Sequence, residues 1–370
     1  MHFILTFVSE QNQTGDSFNR RSALKLIGTG VTLPSAMGVV SGKKRTDWVE
    51  ITMLKKDGEP LLTKEVPKKW YKLEQRAEHV QNKILPKFEK KEGVIASAVT
   101  NSDEKIHDWN KPKVQLVVKP NHADIELPNR LAGIQVEKFV EDDSPESTCS
   151  ESDYQQDFDE VPAGVEITMD GWAVSAGWWV KKDGKDRLMT CAHIFDEEEC
   201  GGDAVGTTVR QGGEKFGEIS SIYPNIDVVL VDTSYGGDLQ DNIYGISGEC
   251  VDRVGRDGLN DIRATGSRVS KAGSSTCNTN GTITKIEEYA SGCVTNTYGN
   301  YYGVNLDIET DEGDSGGPIY YSTWDWVEYN HGLIGLCSYR YGDNKHRATA
   351  AYHVEDVISG IDFDPDPTIL

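Results

Sequence analysis

Three short segments of this 370-residue chain carry residue types that together could cleave an acyl bond. The first is Gly313-Asp314-Ser315-Gly316-Gly317-Pro318. Glycines on both sides let the backbone turn tightly around a serine, exposing its hydroxyl and aiming main-chain N–H groups at one point. A serine hydroxyl alone is a weak nucleophile; it needs a base within hydrogen-bond reach, and the base needs an orienting acid. Thr190-Cys191-Ala192-His193 offers the base, at the end of the strand-like run Arg187–Thr190. Asn225-Ile226-Asp227-Val228-Val229-Leu230-Val231 offers a carboxylate at the head of an apolar strand. Burial there suits a group that fixes an imidazole tautomer. Plainer readings exist: His193 as a structural histidine, Ser315 as a turn serine of an inactive protein, Asp227 as a strand-end turn residue. Asp232 is the nearest substitute for Asp227, but five residues on it faces the opposite side of a regular strand.

The elements that must position these groups read as β-structure. Runs at 172–180, 187–190, 228–231, 281–286, 302–308 and 332–337 are separated by Gly, Asn and Asp turns, and no long helical period intervenes until the end. Such punctuation suits a sandwich or a pair of barrels. Ahead of them, Trp70, Leu73, Ala77, Val80 and Ile84 fall at helical spacing, with Pro67 at the start and Pro86 as the expected end. Strand-like runs follow at 94–100, 114–119 and 134–140, giving a small α+β domain over 43–140. Residues 141–163 are acidic and poor in aliphatic side chains, and read as a linker. The second domain is then 164–360, with an acidic tail at 361–370.

The strand Ser175-Ala176-Gly177-Trp178-Trp179-Val180, the His193 and Asp227 segments and the run from Gly313 to Pro318, in the order His, Asp, Ser, resemble the chymotrypsin-like (trypsin-type) serine peptidases. The nearest likeness is to secreted haloarchaeal and bacterial members, over about residues 165–355. The resemblance implies two antiparallel β-barrels with the site in the cleft between them: an all-β fold, here preceded by the α+β domain. It implies Ser315 as nucleophile, His193 as general base then acid, Asp227 as its orienting partner, and the N–H groups of Gly313 and Ser315 as an oxyanion hole. The implied activity is peptide-bond hydrolysis through an acyl-enzyme on protein or peptide substrates, without a cofactor or metal. The alternative is an inactive peptide-binding or adhesion module on the same fold. Glu309, Ser338 and Arg340 fall where the family reads side-chain specificity; an acid at 309 would favour Lys or Arg, whereas Arg340 could neutralise it or select acidic side chains.

Two departures from the family bear on mechanism. Cys191 stands where alanine is usual, and pairing with Cys200 is one reading; Cys277 with Cys293 is a second short-loop disulfide candidate. No Ile/Val-Val-Gly-Gly start follows the linker, so Asp314 needs a cation other than a new amino terminus, and Arg263, Arg268 and Lys271 are the candidates.

Seven cysteines fit an oxidising exterior. Asn19-Arg20-Arg21-Ser22-Ala23-Leu24-Lys25, followed by a modestly apolar stretch, resembles a twin-arginine export signal over residues 1–42, which places the protein outside the cell or on its surface. No run of 18 apolar residues is present, so no spanning helix is expected. Net charge is −22, from 38 basic and 60 acidic side chains. Such a chain repels phosphate backbones, which argues against nucleic-acid binding, and it suits concentrated salt. The charge is unevenly placed. Residues 43–140 carry 20 Lys+Arg and 15 Asp+Glu, net +5, whereas 141–370 carry 15 and 43, net −28. A basic module tethered to an acidic one should dock on it, as an intramolecular inhibitor or folding aid, or else stand as an independent accessory domain. The acidic run Asp196-Glu197-Glu198-Glu199 could take Ca²⁺ or be a solvated face.

Overall fold

A computed structural model describes residues 46–56, 59–88, 94–118, 127–140, 153–195, 204–233, 238–291, 298–324, 329–340 and 345–363. The export-signal segment and the 196–199 acidic run lie outside the described residues. Strands β1 (Trp48–Lys56) and β2 (Glu59–Pro67) form an antiparallel hairpin. Helix α1 (Lys68–Phe88) follows directly and buries Trp70, Ala77 and Val80. It runs two residues past Pro86, the expected end, to Phe88. Strands β3 (Val94–Ile106), β4 (Trp109–Val118), the short β5 (Arg130–Leu131) and β6 (Ile134–Val140) complete this region. Ala77 and Val80 of the helix pack on Val99, Val114, Leu116, Ile134 and Val136 of the strands.

The segment read as a linker is in part built into the fold. Tyr154, Val161 and Ala163 are buried, and β7 (Glu160–Ala163) is a strand. Acidic neighbours dilute these few apolar residues, so composition conceals them. Next come β8 (Glu166–Met169), β9 (Trp172–Ser175), β10 (Trp178–Lys182), β11 (Lys185–Thr190), β12 (Thr208–Gln211), β13 (Glu214–Tyr223) and β14 (Val228–Asp232). They join in the order β10-β11-β14-β13-β12-β8-β9, with Ile361–Asp362 added to the edge of β10. Ile361 and Phe363 are buried, so the segment read as an acidic tail begins inside the structure. Val161, Ile167, Val174, Trp179, Leu188, Val229 and Val231 fill this first core.

Strand β15 (Asp238–Ile243) pairs in parallel with β7. Beyond β16 (Glu249–Arg253), helix α2 (Arg256–Thr265) is capped by Gly266 in the left-handed conformation. Its sequence carries too few apolar positions to announce a helix. Strands β17 (Arg268–Gly273), β18 (Cys277–Ser291), β19 (Tyr298–Asp307), β20 (Pro318–Trp324), β21 (Tyr329–Arg340) and β22 (Lys345–Ala350) then close on themselves, in the order β17-β20-β21-β22-β19-β18 with β18 pairing back to β17. The short helix α3 (Ala351–Val357) follows. This is the mostly-β, double-barrel architecture expected from the sequence, preceded by an α+β region.

That region shares a sheet with the closed barrel. Strand β3 pairs antiparallel with β18, from Lys285 opposite Thr100 to Tyr289 opposite Ala96. One apolar core unites Ile51, Met53, Leu54 and Trp70 with Leu259, Ile262, Ile283 and Leu306. Polar contacts between the two parts centre on α2. Arg263 Nη2 reaches both carboxylate oxygens of Glu74 at 2.7 Å, and its Nη1 gives a bond to Asn101 at 2.6 Å. Trp109 Nε1 and Lys64 Nζ both donate to Asp261, at 2.6 and 2.7 Å. Burial pushes Glu74 up to about 7, against the pull of Arg263.

Arg263 and Glu74 are 0% and 1% exposed. Removing one member of such a pair strands the other charge away from water. Glu74→Ala should therefore lower unfolding stability by about 3–5 kcal/mol in chemical denaturation. The double variant Glu74→Met/Arg263→Met, which leaves no orphan charge, should recover most of that loss.

Candidate active site

His193, Asp227 and Ser315 meet. Strand β11 ends at Thr190, and the chain leaves it through Cys191 and Ala192 to His193. Asp227 closes a short turn over Pro224–Ile226 just before β14, at φ 54° and ψ 47°. This left-handed conformation is one that Asp tolerates better than most residues. It brings the carboxylate against the β11 end. There Oδ1 accepts the N–H groups of Ala192 and His193 at 2.9 and 2.8 Å, and Oδ2 lies 2.9 Å from His193 Nδ1. The other ring nitrogen, Nε2, is 3.0 Å from Ser315 Oγ. Asp232, the substitute considered above, instead pairs with Arg187 at 3.0 Å.

The closed barrel supports the acid from behind. Ser338 on β21 gives its hydroxyl to Asp227 Oδ2, and Thr349 Oγ1 bonds the Ile226 carbonyl at 3.0 Å. Burial works against an imidazolium at His193, but the charge of Asp227 and the hydrogen bonds that the ring donates to Asp227 and Cys191 outweigh it. The histidine is held well above its ordinary value of 6.5.

The serine loop is pinned by its neighbour. Asp314 and Lys271 are both 0% exposed, with Nζ to Oδ2 at 2.6 Å. Thr276 Oγ1 adds a bond to Oδ2 at 2.6 Å, the Asp311 N–H adds another at 2.9 Å, and the N–H groups of Ser275 and Thr276 bond Oδ1 at 3.0 Å each. Burial opposes ionisation of Asp314, yet Lys271 and these donors hold its carboxyl below the usual carboxylate range. Of the three cations considered for Asp314, Lys271 is the partner; Arg263 is taken by Glu74, and Arg268 is exposed at the head of β17. Backbone N–H groups around the serine divide into two sets. Those of Asp314, Gly316 and Gly317 bond the carbonyls of Asp311, Cys337 and Asp314. Among the described residues, those of Gly313 and Ser315 have no such acceptor.

Glycine is required at 316, where a Cβ would lie 1.9 Å from Thr190 Oγ1. That close approach lets the serine loop seat against the end of β11. Ser338 lies beside Asp227 as described. Glu309 is half-buried, its carbonyl accepting from Thr279 Oγ1 at 2.9 Å. Arg340 ends β21 opposite His346, and its side chain lies outside the described residues.

The Cys191–Cys200 candidate does not stand. Cys191 is a free, buried thiol. Cys277 is disulfide-bonded, and its candidate partner Cys293 lies outside the described residues. Sequence reasoning assigned no role to Ser175, Ser274, Ser275 and Thr276, whose hydroxyls and N–H groups grip the serine loop. The adjacency of Ser274-Ser275-Thr276 to Lys271 in one hairpin was the available signal. Among the described residues no group of three or more His, Cys, Asp or Glu could hold a metal ion, and no helix is long and apolar enough to cross a membrane.

No protein-family model and no curated protein matches the chain. Its neighbours among solved structures are chymotrypsin-like serine proteases at low identity. Thermobifida fusca protease A is 18% identical, over 55% of this chain and 98% of that one, with a TM-score of 0.40. Cellulomonas bogoriensis chymotrypsin is 19% identical over the same shares, also at 0.40. A glutamic acid-specific serine protease is 21% identical over 55% of this chain and 100% of that one, at 0.39.

Lys271→Met should strand the Asp314 carboxylate and cost about 3–5 kcal/mol of stability. Lys271→Met/Asp314→Asn should be the more stable of the two variants in denaturant titrations.

Proposed function

We propose that the chain is a serine endopeptidase in which Ser315, His193 and Asp227 act as nucleophile, base and orienting acid. The observation that carries this reading is the unbroken line from Asp227 Oδ2 through both ring nitrogens of His193 to Ser315 Oγ, at 2.9 and 3.0 Å. The unengaged N–H groups of Gly313 and Ser315 beside it add support.

Chemistry follows from the positions. Asp227 holds Nδ1 protonated, so Nε2 is free to take the Ser315 proton as Oγ attacks the peptide carbonyl. Charge moves to the carbonyl oxygen, where the Gly313 and Ser315 N–H groups stabilise it. The imidazolium then protonates the leaving amine, giving an acyl-enzyme. Water, deprotonated by His193, attacks the ester carbon and releases the acid as Ser315 Oγ recovers its proton. Glu309 and Arg340 are the proposed readers of the substrate side chain, and their opposite charges leave either a basic or an acidic preference to be read from a peptide library.

We place the enzyme outside the cell, exported through the twin-arginine-type segment as secreted bacterial and haloarchaeal proteases are. Residues 47–140 are proposed as an intramolecular folding aid. Their support is that β3 extends the barrel sheet through β18 and shares its core. Amino-terminal sequencing of secreted material checks the export reading, which an intact first residue would overturn. Expression of residues 153–370 alone should give a much lower yield of folded protein than the full chain, and an unchanged yield would remove the folding role.

A serine-directed fluorophosphonate should label Ser315, as read by mass spectrometry, and Ser315→Ala should lower kcat by roughly 10⁴-fold or more. Asp227→Asn should lower it by about 10⁴-fold. No adduct on folded protein, at low and high salt, would mark an inactive binding module instead. The pH profile has a definite sign. Because the base must be neutral and its pKa is raised, kcat/KM should climb with pH through a midpoint above 6.5.

A further inference from the structure

The reading above needs the Gly313 N–H aimed at the substrate, and one side chain outside the triad controls that aim. The N–H of Gly313 shares a planar trans peptide with the carbonyl of Glu312, so the two point in opposite directions. Turning that peptide over would replace a donor with an acceptor at the place where negative charge develops. Gly313 sits at φ +93°, and glycine crosses such conformations at little cost, so this peptide is inherently free to turn. In the structure it is fastened. Ser275 gives its hydroxyl to the Glu312 carbonyl.

Its surroundings hold Ser275 in place. It lies in the turn between β17 and β18, and its own N–H is fixed on Asp314 Oδ1 at 3.0 Å. The contact also explains the residue at 313, where a Cβ would lie 2.3 Å from Ser275 Oγ. The following peptide is fastened separately. The Gly313 carbonyl accepts Ser175 Oγ at 2.7 Å and Ser274 Oγ at 2.9 Å, while Ser175 Oγ itself receives the Ser274 N–H at 2.8 Å. The Gly313–Asp314 peptide thus has two hydroxyl donors, whereas among the described residues Ser275 supplies the one side-chain hydroxyl on the Glu312 carbonyl.

From this geometry we propose that Ser275 is a positioning residue for the reaction. It touches neither substrate nor Ser315, and acts by holding the Glu312–Gly313 peptide with its N–H toward the oxyanion. The proposal deepens the peptidase reading and rests on it.

Its consequence is a defect confined to the transition state. A removed oxyanion donor typically costs 10²–10³-fold in kcat, and a donor set loose rather than removed costs less. Ser275→Ala should therefore lower kcat on a peptide substrate by roughly 10- to 100-fold with KM within about twofold. Affinity for a peptide boronic acid, whose adduct on Ser315 carries the tetrahedral negative charge, should fall by the same factor. Binding of the peptide substrate to Ser315→Ala protein should not change when Ser275→Ala is added. Ser275→Thr keeps the hydroxyl and should restore most of kcat, and Ser275→Cys, a weaker donor, should fall between. Near-native melting temperatures across this series keep the comparison on catalysis.

Wild-type kcat and boronate affinity in Ser275→Ala would overturn the proposal. So would a loss carried by KM, or a loss that Thr does not rescue. If the wild-type chain neither hydrolyses peptides nor takes a fluorophosphonate on Ser315, the peptidase reading fails and this proposal falls with it. If wild type is labelled and active while Ser275→Ala is indifferent, only this proposal fails.

Discussion

A pair of opposite charges, both shut off from water, shapes the loop that carries Ser315. Moving Lys271 and Asp314 out of water costs several kcal/mol per ion, and their attraction offsets this only with good geometry and filled hydrogen-bonding positions. Both conditions are met. Nζ is 2.6 Å from Oδ2, and Asp314 also receives Thr276 Oγ1 and the N–H groups of Ser275, Thr276 and Asp311. Because the side chain of residue 314 is fixed on one side, the backbone on either side of it must turn back past it. The N–H groups of 314, 316 and 317 are drawn into internal bonds, while among the described residues those of 313 and 315 have no backbone acceptor. A carboxylate with less support would not hold that alternation.

His193 and Asp227 come from one sheet and Ser315 from the other, so their meeting lasts only while the two are held in register. The ties are short and local. The Ser175 N–H bonds the Ser315 carbonyl at 2.8 Å, Ser338 and Thr349 reach back to the Asp227 turn, and Thr190 Oγ1 takes its place beneath Gly316. Glycine at 177 and 316 permits the approach, since a Cβ at 177 would sit 2.7 Å from the Gly316 carbonyl. The glycines flanking the serine thus serve packing between the two parts as much as the turn itself.

The meeting of Ser315, His193 and Asp227 was legible because each lies in a short segment whose local chemistry is explicit: a glycine-bracketed serine, a strand-end histidine, an aspartate heading an apolar run. The cation for Asp314 was not, because Arg263, Arg268 and Lys271 lie within nine residues of one another and charge alone does not separate them. What separates them is the pleat. Side chains alternate along β17, so Arg268 is exposed and Lys271 is buried, while Arg263 sits on α2 and faces another carboxylate. Ser338 was read as a specificity residue from its place on the strand, but its hydroxyl lies on Asp227. A single chain position does not tell which of two neighbouring sites a side chain serves. Of the disulfide readings, Cys191 with Cys200 failed, since Cys191 is a free, buried thiol.

The amino-terminal region was legible as elements but not as an attachment. Its net charge of +5 against −28 suggests a separate body drawn in by long-range attraction. The contacts are of a different kind. Strand β18 pairs with β17 only from Cys277 to Thr282, and past that point its free edge would offer unpaired N–H and carbonyl groups to any other strand. Strand β3 takes that edge from Lys285 to Tyr289. Salt screens attraction between exposed charges, but backbone pairing and a shared apolar core are nearly indifferent to it. Buried pairs such as Arg263 with Glu74 are screened far less than surface ones. The charge difference is therefore suited to bringing the two parts together, and the sheet and core to keeping them so at high ionic strength.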